Sequence, residues 1–262
     1  MNEPIKIFIG CAPNHDDAES QAALEWSILK YVTGPVEIVW MRLSLDPKSP
    51  FHGWDSTAWA TPFSGFRWAV PELCNFEGRA IYMDSDFLVL SDISELWIQP
   101  FKPGKVVLAK GGGNWRLCMS LWDCAAAKKY MMPIKDLKRK STSHQTMAGR
   151  FNATSGIVQP FFGDWNCLDA RHGENLKNVK ALHYTRMSTQ PQLKYALPRL
   201  QKSGIRHWFD GKKTPHPNKE VVRLFEFYLK EAIENGYTVE RYTGHKPYGP
   251  VMKQRFGGRA VL

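Results

Sequence analysis

The stretch Arg79-Ala80-Ile81-Tyr82-Met83-Asp84-Ser85-Asp86-Phe87-Leu88-Val89-Leu90 runs from an apolar segment into two carboxylates one residue apart, then back into an apolar run. Arg79 to Tyr82 reads as a strand, which puts Asp84 and Asp86 at its carboxyl end. In open α/β sheets, ligands gather at the carboxyl ends of strands. The two aspartates converge on one divalent ion only if the chain turns there. In an extended strand, alternate side chains share a face but diverge from a common point. Carboxylate oxygens are hard donors that suit Mn²⁺ or Mg²⁺. Such an ion would bridge a diphosphate and stabilise the charge that develops as a sugar–phosphate bond breaks. A DxD triplet also occurs in surface loops and helix caps, so its surroundings decide its meaning.

Upstream, Ile5 to Ile9 reads as a strand closed by Gly10 and followed by a loop through Pro13 and Asn14. A helix is expected next, with Asp16 as N-cap, Glu19 three residues on, and Ala22, Trp26 and Leu29 at helical spacing. Gly34-Pro35 stops it, and Val36 to Met41 forms a second strand. This βαβ unit predicts a right-handed crossover and parallel pairing, hence an α/β fold. Residues 44 to 66, rich in Pro, Gly, Ser and Trp, read as an ordered surface loop that precedes a short helix over Phe66 to Leu73. Late in the chain, Asn218 to Asn235 reads as a helix with Val221, Leu224, Tyr228 and Ala232 on one stripe and Gly236 as its stop.

With 262 residues, 43% of them hydrophobic, the chain can bury a core in one domain. Its net charge of +10 is unevenly spread: residues 1–98 hold 6 Lys/Arg against 14 Asp/Glu, and residues 99–150 hold 11 against 2. Basic surfaces attract phosphates, whether of a nucleotide diphosphate, a nucleic acid or an anionic membrane face. The segment from Lys128 to Arg150, with Lys138-Arg139-Lys140, reads as a mobile or ligand-ordered loop. The tail after Glu240 lacks acids and carries Lys246, Lys253, Arg255 and Arg259; it reads as flexible or peripheral. Five cysteines without a CxxC pair suggest core thiols rather than a zinc knuckle or disulfide framework. No apolar run approaches the ~20 residues of a membrane span, and the N-terminus enters its first strand without a signal-peptide layout. The expectation is a cytoplasmic protein, with peripheral membrane contact through its basic half.

Ser64-Gly65-Phe66-Arg67-Trp68-Ala69-Val70-Pro71, followed by the DxD strand, resembles the arginine-bearing helix and metal strand of glycosyltransferase family 8 and related bacterial enzymes. Ile7-Phe8-Ile9-Gly10, Asn114-Trp115, His144-Gln145, Asp164-Trp165-Asn166 and Ala181-Leu182-His183-Tyr184-Thr185 extend the resemblance over residues 5 to about 195. It implies a GT-A-like, Rossmann-type mixed sheet flanked by helices over residues 1–195, with residues 196–262 as a helical and basic extension. It further implies a Mn²⁺- or Mg²⁺-dependent transfer of a hexose from a nucleotide sugar, UDP-linked in the family, to a saccharide or lipid-linked acceptor with retention. His183, which alone reads as a core-strand histidine, becomes the third metal ligand beside Asp84 and Asp86. Gly10, Cys11, Ala12, Arg67, Ser85, Thr185 and Lys194 fall on the donor side, and His144 and Gln145 are the catalytic candidates beside the sugar.

Departures from the family pattern are specific. His144 stands where the family has aspartate, and Arg116-Leu117-Cys118 follows Asn114-Trp115 in place of an Asn-Ser/Ala-Gly triplet. Gly10-Cys11-Ala12-Pro13-Asn14 lacks the base-facing aspartate, leaving backbone groups or Asn14 for base recognition. Thr189-Gln190-Pro191 replaces a lysine-proline pair, with Lys194 nearby as the phosphate candidate. Two other readings use the same residues. A DxD phosphatase normally carries Thr or Val where Leu88 stands and places its motif near the N-terminus. A nucleic-acid-binding protein, or a transferase acting on a nucleic-acid acceptor, would draw on the basic stretch and the ten tryptophans.

Overall fold

A computed structural model describes residues 3–111, 114–152, 156–169 and 176–251. Lys253, Arg255 and Arg259 of the basic tail lie outside the described residues. Six strands form the main sheet in the order β2-β1-β3-β6-β5-β7. They are β1 (Ile5–Gly10), β2 (Val36–Met41), β3 (Arg79–Asp84), β5 (Val107–Lys110), β6 (Arg116–Asp123) and β7 (Val158–Pro160). The parallel pairing expected from the βαβ unit holds for β2-β1-β3, where Gly10 lies opposite Asp84. On the far side, β6 runs antiparallel to both β3 and β5, and β5 is parallel to β7. The sheet is therefore mixed. A second sheet of β4 (Phe87–Val89), β9 (Ala181–His183) and β8 (Cys167–Leu168) begins where the first strand of carboxylates ends.

The Ala18–Tyr31 helix is buried on two sides. Leu24 and Ile28 join Ile5, Ile7, Ile9 and Ile81 against the main sheet. Ala18, Ala22 and Ala23 pack against Val221, Phe225 and Tyr228 of the Lys219–Glu234 helix, where their small side chains allow close approach. The expected Ala22, Trp26, Leu29 stripe is thus only partly right. Trp26 and Leu29 are half-buried at the edge, and Trp26 Nε1 donates to Glu231 Oε2 at 3.2 Å.

Asp16 is not the N-cap. The helix starts at Ala18, with Asp17 in the capping position but no capping hydrogen bond from its side chain. Tertiary partners draw both carboxylates away: Asp16 Oδ1 accepts the Trp208 N–H at 2.9 Å, and Asp17 turns toward the loop after β1. The late helix follows its sequence reading more closely. Asn218 Oδ1 accepts the N–H groups of Glu220 and Val221, which satisfies two of the unpaired first-turn donors.

The segment over Phe66 to Leu73 splits into a 3₁₀ turn, Phe66–Trp68, and a single α-turn, Val70–Leu73. Residues 128–150 are not one loop: they include turns of helix at Ile134–Leu137 and His144–Asn152. Lys138 is tied down, since its Nζ donates to the His52 carbonyl at 2.8 Å and its own carbonyl accepts from Asp55 N–H at 3.0 Å. All five cysteines are buried with free thiols. No helix among the described residues is long and apolar enough to cross a membrane.

Candidate metal and donor site

The turn that the DxD reading requires is present. β3 ends at Asp84 in the main sheet and β4 begins at Phe87 in the small one, so the chain changes direction through Ser85-Asp86. The Ser85 N–H donates to the Gly10 carbonyl at 3.0 Å, and Tyr184 N–H donates to the Asp86 carbonyl at 2.9 Å. Antiparallel pairing then sets Phe87 opposite His183, with their rings stacked at 4.1 Å. This register delivers the imidazole to the second aspartate: His183 Nε2 lies 3.2 Å from Asp86 Oδ1.

The other ring nitrogen, Nδ1, lies 3.0 Å from Asn166 Oδ1 and 3.5 Å from Cys118 Sγ. An amide oxygen only accepts, so it assigns a proton to Nδ1 and leaves Nε2 to face the carboxylates. Burial disfavours charge on His183, but the neighbouring Cys118 and Asp86 outweigh it and raise its pKa well above the usual value. Asp86 Oδ2 accepts from Gln190 Nε2 at 2.7 Å. Its buried Oδ1 makes no other hydrogen bond and faces His183 Nε2 at 3.2 Å. A buried carboxylate oxygen needs a cationic or donor partner, and the imidazole with its raised pKa is that partner here.

Asp84 is bound more tightly. Arg67 Nη2 lies 3.0 Å from both of its oxygens, and Tyr82 Oη donates to Oδ1 at 2.5 Å. Arg67 and Asp84 are both buried, at 7% exposure each. Burial raises the Asp84 pKa, against the charge of Arg67 and with the help of Asp86. Ligand atoms of Asp84, Cys118 and His183 all lie within 4.8 Å of one another. Asp86 joins this group through its contact with His183 Nε2, and carboxylate, imidazole and thiol donors together fit a first-row divalent cation.

Tyr82 also explains Gly10. A Cβ on Gly10 would stand 2.5 Å from Tyr82 Oη and 3.1 Å from the Phe63 ring. Beyond it, Ala12 N–H donates to Asp17 Oδ2 at 2.7 Å, and the same oxygen accepts from Ser85 Oγ at 2.8 Å. Burial, and then the Asp16 charge, push the Asp17 carboxyl up to about 7. Cys11 turns inward, with Sγ 3.5 Å from the Met41 carbonyl and its thiol pushed up to about 12 by burial. Asn14 is fully engaged elsewhere: its amide donates to the Gly249 carbonyl at 2.7 Å and accepts the Gly249 N–H at 3.0 Å. The Asn14 side chain is thereby spent on holding residue 249 against the loop.

The remaining expected residues divide. His144 is half-buried at the start of its helix, with Nδ1 unpaired. Burial first, and then the nearby Arg67 charge, hold it down to about 4, so it is neutral near the arginine. Gln145 is exposed on the first turn of that helix. Thr185 is committed to Asp169, whose Oδ1 accepts from Thr185 Oγ1 at 3.0 Å. Lys194 is exposed and bonded to Glu226 Oε1 at 2.6 Å, on the outer side of two helices; no contact joins it to the carboxylate cluster. Sequence reasoning missed the supporting roles of Asp17, Tyr82, Asn166 and Gln190. Only Asp16-Asp17 carried a signal, as adjacent acids directly after the β1 loop, and it was absorbed by the helix-cap reading.

No protein-family profile matches the chain. A 95-residue stretch is 35% identical to Protein CDI of Arabidopsis thaliana, covering 36% of this chain and 36% of that protein. Among solved structures, the chain is similar to the galactosyltransferase LgtC in complex with donor and acceptor sugar analogs, at TM-score 0.54 and 11% identity over 92% of this chain and 99% of that one. It is also similar to the bifunctional glycosyltransferase WbbM (0.52, 14%, 73% of this chain) and to GlyE of Streptococcus pneumoniae TIGR4 (0.51, 10%, 90% of this chain). The chain spans 47% of WbbM and 64% of GlyE. At such identities the likeness is one of architecture: the chain has the GT-A-like mixed α/β fold that these glycosyltransferases share.

Proposed function

We propose that this chain is a divalent-metal-dependent glycosyltransferase that takes a hexose from a nucleotide sugar, UDP-linked by the resemblance, and passes it to a saccharide or lipid-linked acceptor. The observation that carries the reading is the approach of Asp84 and His183, whose donor atoms lie within 4.8 Å of each other at the carboxyl end of β3, with Asp86 Oδ1 3.2 Å from His183 Nε2. The glycosyltransferases that share the fold support it.

Asp84, Asp86 and His183 would hold Mn²⁺ or Mg²⁺, which when bound neutralises the leaving diphosphate. This chain's own residues then have distinct tasks. Arg67 holds Asp84 in one orientation through its contacts with both oxygens, and Gln190 does the same for Asp86. Asn166 keeps the His183 ring turned with Nε2 inward. The Gly10-Cys11-Ala12 backbone, braced by Asp17, offers the nucleotide a fixed loop edge. Neutral His144 and exposed Gln145 supply hydrogen-bonding groups on the sugar side without a carboxylate nucleophile, in keeping with front-face transfer and retention.

A screen of nucleotide sugars for Mn²⁺-dependent hydrolysis tests the reading, since hydrolysis needs no acceptor. Release of a nucleoside diphosphate that stops with chelator and in Asp86→Asn is the expected result. If no nucleotide sugar is hydrolysed or bound with metal present, the reading fails.

A further inference from the structure

Cys118 lies in β6 among the buried core residues, and its thiol also reaches the side chains of His183 and Asn166. Sγ is 3.5 Å from His183 Nδ1 and 3.2 Å from Asn166 Nδ2. The antiparallel register explains the placement: Met119 pairs with Met83, so Cys118 sits one step further along, level with Asp84. Two atoms that each lie about 2.0–2.3 Å from one ion stand no more than about 4.6 Å apart. Asp84, Cys118 and His183 each present a donor atom within 4.8 Å of the others, close to that limit.

We propose that Cys118 is itself a ligand of this centre, making it a mixed oxygen, nitrogen and sulfur site that takes thiophilic first-row dications in preference to Mg²⁺. The inference rests on the metal-site reading above and deepens it. Its chemistry follows from donor type: Mg²⁺ keeps to oxygen ligands and retains its waters, whereas Zn²⁺, Co²⁺ and, more weakly, Mn²⁺ accept thiolate and imidazole. On binding, the metal–sulfur bond forms as the thiol proton leaves to solvent. Arg67, which pairs with Asp84 in the same pocket, helps offset the added negative charge.

The test is spectroscopic and uses the full chain. Co²⁺ titration of the wild type is expected to give a near-ultraviolet sulfur-to-cobalt charge-transfer band, which is absent in Cys118→Ser and retained in Cys167→Ser. Zn²⁺ affinity should fall by at least about tenfold in Cys118→Ser, the scale of losing even a supporting partner of a metal site, while Mg²⁺ affinity changes little. Cd-113 NMR of the unmutated protein supplies a reading that needs no variant, because one thiolate ligand moves the cadmium resonance far from its position with only oxygen and nitrogen donors. Co²⁺ bound without the band, or a band that survives in Cys118→Ser, overturns the thiol ligand and leaves the metal-site reading standing. A wild type that binds no Co²⁺, Zn²⁺ or Mn²⁺, with or without UDP, overturns both.

Discussion

Asp17 Oδ2 accepts the hydroxyl of Ser85 at 2.8 Å and the N–H of Ala12 at 2.7 Å, so one buried oxygen fastens the loop after β1 to the turn between Asp84 and Asp86. Asp17→Ala leaves both donors unsatisfied in a buried place, and a loss of about 1–3 kcal/mol is expected by denaturant unfolding. The pH dependence has a definite sign. The folded carboxyl is pushed up to about 7 from an ordinary value of 3.8, and Asp16 is raised to about 6, chiefly by burial. Between these values the folded chain holds protons that the unfolded chain releases, so stability falls as pH rises from about 4 to 7. Asp17→Asn keeps an accepting oxygen and removes the ionisation, which makes the decline shallower. Identical slopes for the two proteins would contradict the assignment.

Gly10→Ala drives a methyl group to 2.5 Å from Tyr82 Oη, whose hydroxyl is held by Asp84 and cannot swing away freely. A destabilisation of about 1–3 kcal/mol is expected from overpacking. Because the nearest obstruction is one hydroxyl, Tyr82→Phe in the same chain should recover part of the loss. A double variant no more stable than Gly10→Ala alone would place the strain elsewhere.

Asp84→Ala, Asp86→Ala and His183→Ala should each abolish metal-dependent UDP binding by calorimetry. Gln190→Ala removes a side chain that orients Asp86, and a loss of about 10–100-fold in metal affinity is expected. Metal must displace the proton that the raised His183 pKa keeps on the ring. Affinity for Mn²⁺ should therefore climb as pH rises above the ordinary histidine value of 6.5, and His183→Gln should flatten that climb. UDP affinity that is equal with metal and with chelator in every one of these proteins would remove the site.

His144 and Gln145 stand apart from the carboxylates, one beside Arg67 and the other exposed. Their alanine variants should lower donor hydrolysis and transfer far more than UDP binding. Turnover at the wild-type rate in either variant would return that residue to a packing or surface role.

Arg139 and Lys140 are the exposed members of the basic run, whereas Lys138 is spent on the His52 carbonyl. Each basic side chain near an anionic leaflet contributes about 1 kcal/mol. Sedimentation with anionic liposomes should therefore fade with salt and weaken by up to about thirtyfold in Arg139→Ala/Lys140→Ala. Binding to DNA but not to liposomes would shift the reading to a nucleic-acid partner, and binding to neither would make the run a solvated surface.

Local chemistry was enough to determine several features from sequence alone. The apolar runs Ile5–Ile9 and Val36–Met41, with a helix between them, announce parallel pairing because few other arrangements bury two such strands. Asp84 and Asp86 fall at a strand end as their pattern predicts, and Asn218 announces its helix by capping it. Longer-range facts needed the folded chain. That β6 enters antiparallel beside β3 depends on a pairing choice that periodicity does not encode. Asp17 bracing Ala12 and Ser85, Gln190 reaching Asp86 across 104 positions, and Cys118 facing His183 across 65 arise from tertiary contacts between segments whose own patterns are silent about each other. Side-chain polarity states what a residue can bond. Only the register of the two sheets, set by burying both apolar faces at once, decides which partner it meets.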